Sequence, residues 1–296
     1  MAVTVSKCPC CKSPKIAFAL AAKDYTVSQE NFEIWQCNVC TARFTQHIPA
    51  EDEIGKYYQS EDYISHSDTK KGWINSIYHF VRKRTLSAKK NLIKKQTHLS
   101  TGKVLDVGAG TGAFLNSMQK NGWQAEGVEP DATAREKAKF LYGLDIKPSA
   151  ELFNYLPESF DAITLWHVLE HVHDLDGYLE QLKKLLKKNG RIFIAVPNYT
   201  SYDAKVYQQF WAAYDVPRHL YHFSPVSMMQ LLLRHGLQLK KIKPMWYDSF
   251  YVSMLSEKYK AGKNNFISAL INGYISIWKA LWNKEKCSSV IYIISH

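Results

Sequence analysis

Short apolar runs alternate with amphipathic segments through the middle of the chain. The apolar runs predict strands near residues 103–107, 124–128, 144–147, 160–165 and 191–196. The segments between them have helical spacing and predict helices near residues 112–121, 131–140 and 174–188. Because parallel strands are joined by crossovers, this alternation predicts an α/β fold: a mostly parallel sheet with helices on both faces.

The pattern continues toward the C-terminus with one helix and two strands. Ser224–His235 predicts a helix, with Ser224 as its N-cap and Pro225 in its first turn. Leu237–Lys243 and Ser289–Ser295 predict the last two strands.

An insertion of about residues 246–286 separates those two strands. Its apolar side chains recur at helical spacing as far as Trp282, and lysines flank them. Such a stripe is typical of a core helix or of a packed lid. The alternative is a helix that lies in a membrane interface, so that peripheral membrane contact is possible.

The chain before residue 101 has a different pattern, which divides the molecule into three predicted parts. Residues 1–48 form a small cysteine-bearing module, and residues 49–100 form a connecting region. That region ends in an amphipathic helix from Trp73 to about Leu99, with a basic face typical of a solvated surface or of an anion-attracting rim. Residues 101–296 then form the α/β domain with its helical insertion.

Four cysteines in the first module have the spacing of a metal site. Cys8 and Cys11 form one C-x-x-C pair, and Cys37 and Cys40 form the other. Four thiolates in this arrangement suit tetrahedral zinc with a closed, structural shell. Cys10 lies inside the first pair and is an alternative ligand to Cys8 or Cys11. The module is therefore predicted to be a zinc ribbon, structural first, with nucleic-acid contact as the competing role.

The segment from Val104 to Phe114 carries the strongest chemical signal. An apolar strand ends near Asp106, and Gly108, Gly110 and Gly112 follow before the next helix. Glycines allow a tight turn that comes close to a ligand, and the helix behind them offers free N–H groups. The segment therefore predicts a nucleotide-cofactor cradle.

Two cofactors compete for this cradle. Gly108, Gly110 and Ala113 satisfy the G-x-G-x-x-[GA] pattern of a dinucleotide site. S-adenosylmethionine (SAM) is the other candidate. Glu129 ends the next strand, where a carboxylate can accept hydrogen bonds from ribose hydroxyls, and both cofactors have a ribose.

Three segments resemble the class I SAM-dependent methyltransferases. They are Leu105–Gly112 as the first motif, Phe160–Val172 as the fourth-strand motif of small-molecule enzymes, and Leu185–Asn198 as the fifth strand with its closing Pro-Asn. The resemblance implies a Rossmann-like seven-stranded sheet whose last two strands form an antiparallel pair at the edge. It also implies SAM as the cofactor.

The resemblance implies roles for several residues of the cradle. Asp106 would order the glycine turn and the amino group of SAM, and Glu129 would hold the ribose. Phe114 and Trp166 are either core residues or a wall for the adenine, and His167 follows the strand end close to SAM.

Histidines near the strand ends are the candidate bases. Methyl transfer needs an oriented nucleophile and, for a hydroxyl or carbon acid, a base near neutral pH. The candidates are His167, His171, His219 and His222, with His171 preferred because it lies one turn beyond the fourth strand. We assign no metal to the Glu170-His171 pair.

Composition limits the possible surroundings of the protein. The 296 residues carry a net charge of +11, which favours acidic partners such as nucleic acid, phosphorylated substrates or an anionic membrane. No signal peptide and no membrane span are evident, and six cysteines without export signals argue against disulfides. A cytoplasmic protein is expected.

Three functions fit this sequence. The first is a SAM-dependent methyltransferase for a small molecule, in particular a sugar or a nucleotide-linked glycan precursor. This choice rests on a resemblance to sugar methyltransferases that carry zinc knuckles. The second is an RNA methyltransferase with a zinc ribbon, and the third is a non-catalytic SAM-binding scaffold of a glycan pathway.

Overall fold

The computed structural model describes residues 3–59, 73–246, 248–262 and 266–296. The strands are Ile16–Lys23 (β1), Asn31–Cys37 (β2), Arg43–Thr45 (β3), Lys103–Val107 (β4), Gln124–Val128 (β5), Phe160–Trp166 (β6), Leu186–Pro197 (β7), Tyr221–His222 (β8), Gln238–Pro244 (β9) and Ser289–Ser295 (β10). The helices are Trp73–Thr97 (α1), Ala113–Gln119 (α2), Ala132–Tyr142 (α3), Leu175–Leu185 (α4), Tyr202–Tyr207 (α5), Pro225–Arg234 (α6), Asp248–Ala261 (α7) and Phe266–Trp282 (α8). Residues 60–72 of the predicted connecting region lie outside the described residues.

The main sheet has the order β5-β4-β6-β7-β10-β9. Strands β5, β4, β6 and β7 are parallel, whereas β10 runs antiparallel to both β7 and β9. The α/β fold and the antiparallel pair at the end of the sheet are therefore confirmed. The parallel strands are covered on both faces, so β4 is buried over most of its length.

The seventh strand of the expected sheet is reduced to one bridge. Residues 144–147, which the pattern predicts as a strand, contribute only the parallel bridge between Lys147 and Val128. Pro148 follows at once and has no N–H to donate, so the pairing stops there.

The start of α6 agrees with the prediction from the local sequence, whereas the end of α4 does not. Helix α6 begins as predicted, because Ser224 and Ser227 form a reciprocal capping box and Pro225 occupies its first position. Helix α4 ends at Leu185, before the predicted end at residue 188, and β7 begins at once. The apolar side chain of Leu186 is compatible with a helix or a strand. Leu186 belongs to β7 because its backbone pairs with Phe160 of β6.

Helix α1 is amphipathic, as predicted. Ile93 is fully buried in the core, and Leu86 and Leu92 pack against the same cluster. Lys83 and Arg84 are exposed on the other face.

The N-terminal module is a small antiparallel sheet that includes a strand from the α/β part of the chain. β1, β2 and β3 pair in sequence order, and β8 pairs with β3 as the fourth strand. Arg218 strengthens this junction: its guanidinium contacts Asp24 at 2.9 Å, and its Nε donates to both oxygens of Asp215 at 3.1 Å. The module and the segment before β8 therefore share one packed interface.

The insertion between β9 and β10 is the helical hairpin α7–α8. The prediction that its apolar stripe is core or a packed lid is wrong for α8, because Ile267, Tyr274 and Trp282 are 73%, 67% and 80% exposed. Within the described part of the chain, no helix is long and apolar enough to cross a membrane.

Candidate functional site

The turn after β4 carries three glycines in the left-handed backbone region. The angle φ is +71° at Gly108, +53° at Gly110 and +77° at Gly112, which glycine adopts without steric cost. A Cβ on Gly108 would lie 2.4 Å from a methyl of Val168, and one on Gly112 would lie 2.7 Å from Leu144. A Cβ on Gly110 would meet nothing within 4 Å. The turn therefore presents an open backbone surface at Gly110.

Glu129 lies directly beside that open surface. Its carboxylate accepts hydrogen bonds from the N–H of Gly110 at 2.8 Å and of Asp131 at 3.1 Å. Burial raises the pKa of Glu129, while the two amides act in the opposite direction. These bonds fix the orientation of the carboxylate at the carboxyl end of β5.

Asp106 is buried in β4, behind the turn. The Thr164 hydroxyl donates to its Oδ1 at 2.5 Å. Burial raises the pKa of Asp106 to about 7, although the Thr164 bond and the positive charge of Lys89 lower it. The carboxyl group therefore titrates near neutral pH.

The aromatic rings of Phe114 and Trp166 pack against each other. Their rings meet edge to face with centroids 5.8 Å apart. Phe114 is buried in the core, whereas Trp166 is only partly buried. The Lys89 ammonium lies 4.2 Å from the centre of a Trp166 ring, so a cation from α1 reaches this edge of the sheet.

His167 is held between two carboxylates. Its Nε2 lies 2.9 Å from Asp248 and its Nδ1 lies 3.3 Å from Glu170. Burial opposes the charged ring, but the bonds and charges of Asp248 and Glu170 raise the pKa of His167 to about 10. His167 is thus an imidazolium at neutral pH, so the predicted role as a base does not fit its surroundings.

His171 has the opposite character. Burial and the neighbouring His219 lower the pKa of His171 to about 4, so its ring is neutral. Its Nδ1 lies 3.0 Å from the Arg218 carbonyl, which can only accept, so that Nδ1 carries the proton and Nε2 is the basic atom. The Tyr58 hydroxyl also lies 3.1 Å from this Nδ1.

Glu170, His171 and His219 stand close together, with one donor atom of each within 4.8 Å of the others. Protein groups already orient two of them: His219 Nδ1 lies 2.8 Å from the Ala213 carbonyl, and Glu170 pairs with His167. Burial opposes ionisation of Glu170, yet the bond and charge of His167 hold the pKa of Glu170 below its usual value. The group can place a neutral base beside a fixed carboxylate.

His222 lies in a different environment. It is buried in β8, where its Nε2 faces the Thr45 hydroxyl at 3.2 Å and its ring packs edge to face on Tyr214. Burial lowers the pKa of His222 well below its usual value. The structure places this predicted base in the junction with the N-terminal module, apart from His167.

The four predicted metal ligands are brought together. One sulfur of each of Cys8, Cys11, Cys37 and Cys40 lies within 4.8 Å of the others, with the Cys8–Cys40 sulfurs at 3.4 Å and the Cys11–Cys37 sulfurs at 3.5 Å. The N–H groups of residues 39 and 40 donate to the Cys37 sulfur. Cys10 is buried but is not a member of this cluster.

Two residues of the site were not singled out from the sequence. Lys89 lies at helical spacing from Leu86 and Ile93, so the period of α1 alone could have placed it on the inward face. Asp248 lies in the insertion, about eighty residues from His167 along the chain, and no local pattern connects the two.

The fold and the turn define a nucleotide-cofactor-binding α/β domain of the Rossmann-like class. The chain belongs to the methyltransferase domain family, because the model of that family matches residues 78–242, more than half of its length. The protein is a SAM-dependent methyltransferase, and SAM rather than a dinucleotide is its cofactor.

Two curated proteins and one solved structure illustrate what this chain is similar to. The chain is 28% identical to the ubiquinone biosynthesis O-methyltransferase of Pelagibacter ubique (strain HTCC1062), over 60% of this chain and 81% of that protein. It is 29% identical to the mitochondrial ubiquinone biosynthesis O-methyltransferase of Rattus norvegicus, over 54% of this chain and 53% of that protein. A SAM-dependent methyltransferase structure from Archaeoglobus fulgidus aligns with 74% of this chain and 100% of its own, at 18% identity and a TM-score of 0.48.

Proposed function

We propose that this protein transfers the methyl group of SAM to a hydroxyl oxygen of a small molecule. The observation that carries the proposal is the open Gly110 turn, with Glu129 fixed beside it and a neutral His171 after the adjacent strand. The O-methyltransferases among the relatives support oxygen as the acceptor atom.

The residues of the turn fit SAM. Gly110 leaves its backbone open to a ligand, and the oriented Glu129 suits ribose hydroxyls. The ammonium group of SAM beside Asp106 would favour the ionised form of this carboxyl group, and Trp166 offers a partly exposed face to the adenine. Phe114 supports Trp166 from the core.

SAM supplies an electrophilic methyl group whose leaving group is a neutral thioether. The protein then has to orient the acceptor and remove its proton. We assign the base to His171 Nε2, because the ring is neutral and the Arg218 carbonyl fixes its tautomer. His167, held as a cation by Glu170 and Asp248, is assigned as a positioning residue.

We also propose that the four-cysteine cluster holds a structural zinc ion. A Zn–S bond of about 2.3 Å places tetrahedral sulfurs about 3.8 Å apart, close to the spacing of the two pairs. The N–H groups that point at Cys37 stabilise its thiolate. Four protein ligands leave no open position, which favours a structural role.

We propose a sugar or a nucleotide-linked glycan precursor as the acceptor class. The net charge of +11 favours a phosphorylated acceptor. An acceptor panel distinguishes this class from other small hydroxyl compounds and from RNA.

The test measures formation of S-adenosylhomocysteine with sugar nucleotides, catechols and RNA as acceptors. We expect turnover with a small hydroxyl acceptor, a kcat reduced at least about 100-fold in His171→Gln, and an unchanged affinity for SAM. At high pH the acceptor hydroxyl ionises without a base, so the activity of His171→Gln should recover there. Such recovery would show that the variant has lost its base and not its fold. Turnover only on RNA, or full activity of His171→Gln, would contradict the proposal.

A further inference from the structure

Helix α8 presents its apolar side chains to the outside of the molecule. Seven large apolar residues of this helix are more than half exposed: Ile267, Leu270, Ile271, Tyr274, Trp278, Leu281 and Trp282. Their spacing of three and four residues places them on one stripe along the whole helix. The exposed face is therefore continuous and includes three aromatic rings.

The inner face of the same helix is small and polar. Ala269, Gly273, Ser276 and Ala280 lie one above another and are buried. Ser276 donates to the buried Asp203 at 2.9 Å, and the Asn272 amide donates to the Tyr207 hydroxyl at 3.1 Å. The Ser268 hydroxyl donates to Glu257 of α7.

This orientation is the reverse of a normal surface helix. In water an amphipathic helix buries its apolar stripe and exposes its polar face. Here hydrogen bonds hold the polar face against the protein, and the apolar face therefore points to the solvent. A continuous exposed apolar patch of this kind marks a contact with another apolar phase.

The lysines of the helical hairpin and of the segment after it favour an anionic lipid surface as that phase. Residues 258–286 contain six lysines and one glutamate. Of these, Lys258, Lys260, Lys279 and Lys284 lie in the described part and are exposed. Tryptophan and tyrosine with flanking lysines are the composition of helices at a lipid headgroup boundary.

We propose that α8 is a membrane-interface helix, which inserts its outer face into the surface of an anionic lipid bilayer while the lysines contact the headgroups. The helix lies in the plane of the interface and does not span the bilayer. A second copy of this chain would offer the same positive charge around the same stripe, which disfavours a dimer through α8.

The test is flotation of the full-length protein with vesicles of phosphatidylglycerol or of phosphatidylcholine. We expect binding to the anionic vesicles that weakens in high salt, and at least about tenfold weaker binding to the neutral ones. The double variant Leu270→Glu, Trp278→Glu should reduce anionic vesicle binding at least about tenfold. The matched control Phe140→Glu, Leu156→Glu changes two apolar residues elsewhere that are even more exposed than Leu270 and Trp278, and it should leave binding unchanged.

The unfolding temperature of each variant, measured by circular dichroism, shows whether it is folded. Because the four side chains are exposed, we expect little change in either variant. If the double variant does not fold, quenching of tryptophan fluorescence by brominated lipids replaces it. The parent protein should be quenched on anionic vesicles, and Trp282→Phe should be quenched less, because it lacks one of the α8 tryptophans. Absence of vesicle binding by the parent protein, equal binding to both lipids, or self-association in lipid-free solution that the α8 variant abolishes would each overturn the proposal.

Discussion

His167 shows how one side chain can be committed to a single charge state. Its two ring nitrogens face the carboxylates of Asp248 and Glu170, and this raises its pKa to about 10 despite burial. His171 lies four residues away, and burial together with His219 lowers its pKa to about 4. The two histidines therefore have different chemistry at neutral pH, one a cation and the other a neutral ring.

The His167 ion pairs make a prediction about stability and pH. Since its pKa is raised in the folded state, the stabilisation is full below the unfolded value of about 6.5 and is lost as the pH rises through about 10. The free energy of unfolding of His167→Gln should therefore lie below that of the parent by about 2 kcal/mol at pH 6, less than the full shift because the ring is partly exposed. Urea unfolding at pH 6, 8 and 10 measures this difference, which should shrink toward pH 10.

His222→Gln is the control for that experiment. Burial lowers the pKa of His222, so the ring is neutral in both states well above pH 6.5, and the effect of its substitution should be flat between pH 8 and pH 10. A difference for His167→Gln that does not change with pH would contradict the assignment of its charge.

At the scale of elements, the N-terminal module is built into the α/β domain. β8 pairs with β3, and Thr41 shares a hydrogen bond with Ser224, the N-cap of α6. Arg234 of α6 donates to the carbonyl of Cys10 at 2.9 Å. Substitutions in the cysteine cluster should therefore also destabilise α6 and the segment that contains His219.

The variant Cys37→Ser tests this connection and the metal. Elemental analysis should find about one zinc per parent chain and much less in the variant. Thermal unfolding should show one transition that moves to lower temperature by several degrees or more, because metal binding contributes folding free energy. Two separate transitions with the larger one unchanged, or a parent protein that contains no metal, would contradict the proposed role.

At the scale of the whole molecule, the sequence pattern predicts the α/β architecture and only part of the candidate site. Apolar runs and glycine turns locate β4, β5 and β6, and hence Asp106 and Glu129, because these signals are local. Residues 144–147 pair with β5 only at Lys147, and Pro148 prevents the pairing from continuing, which the strand pattern does not show.

The outward face of α8 and the partner of His167 depend on how the insertion packs. An apolar stripe has the same period whether it faces the core or a membrane, so the sequence could not decide its direction. Asp248 reaches His167 only because α7 begins at the end of β9, a contact that joins distant parts of the chain.

The most direct test of the central claim is calorimetric titration of SAM into the parent protein and two glycine variants. Gly110→Val and Gly143→Val both place a side chain at positive φ in open space, so backbone strain is matched between them. Only Gly110 belongs to the turn beside Glu129. We predict one SAM site in the parent, affinity lost at least about 100-fold in Gly110→Val, and affinity retained in Gly143→Val. No heat from SAM together with a clear signal from a nicotinamide dinucleotide, or unchanged SAM affinity in Gly110→Val, would contradict the account.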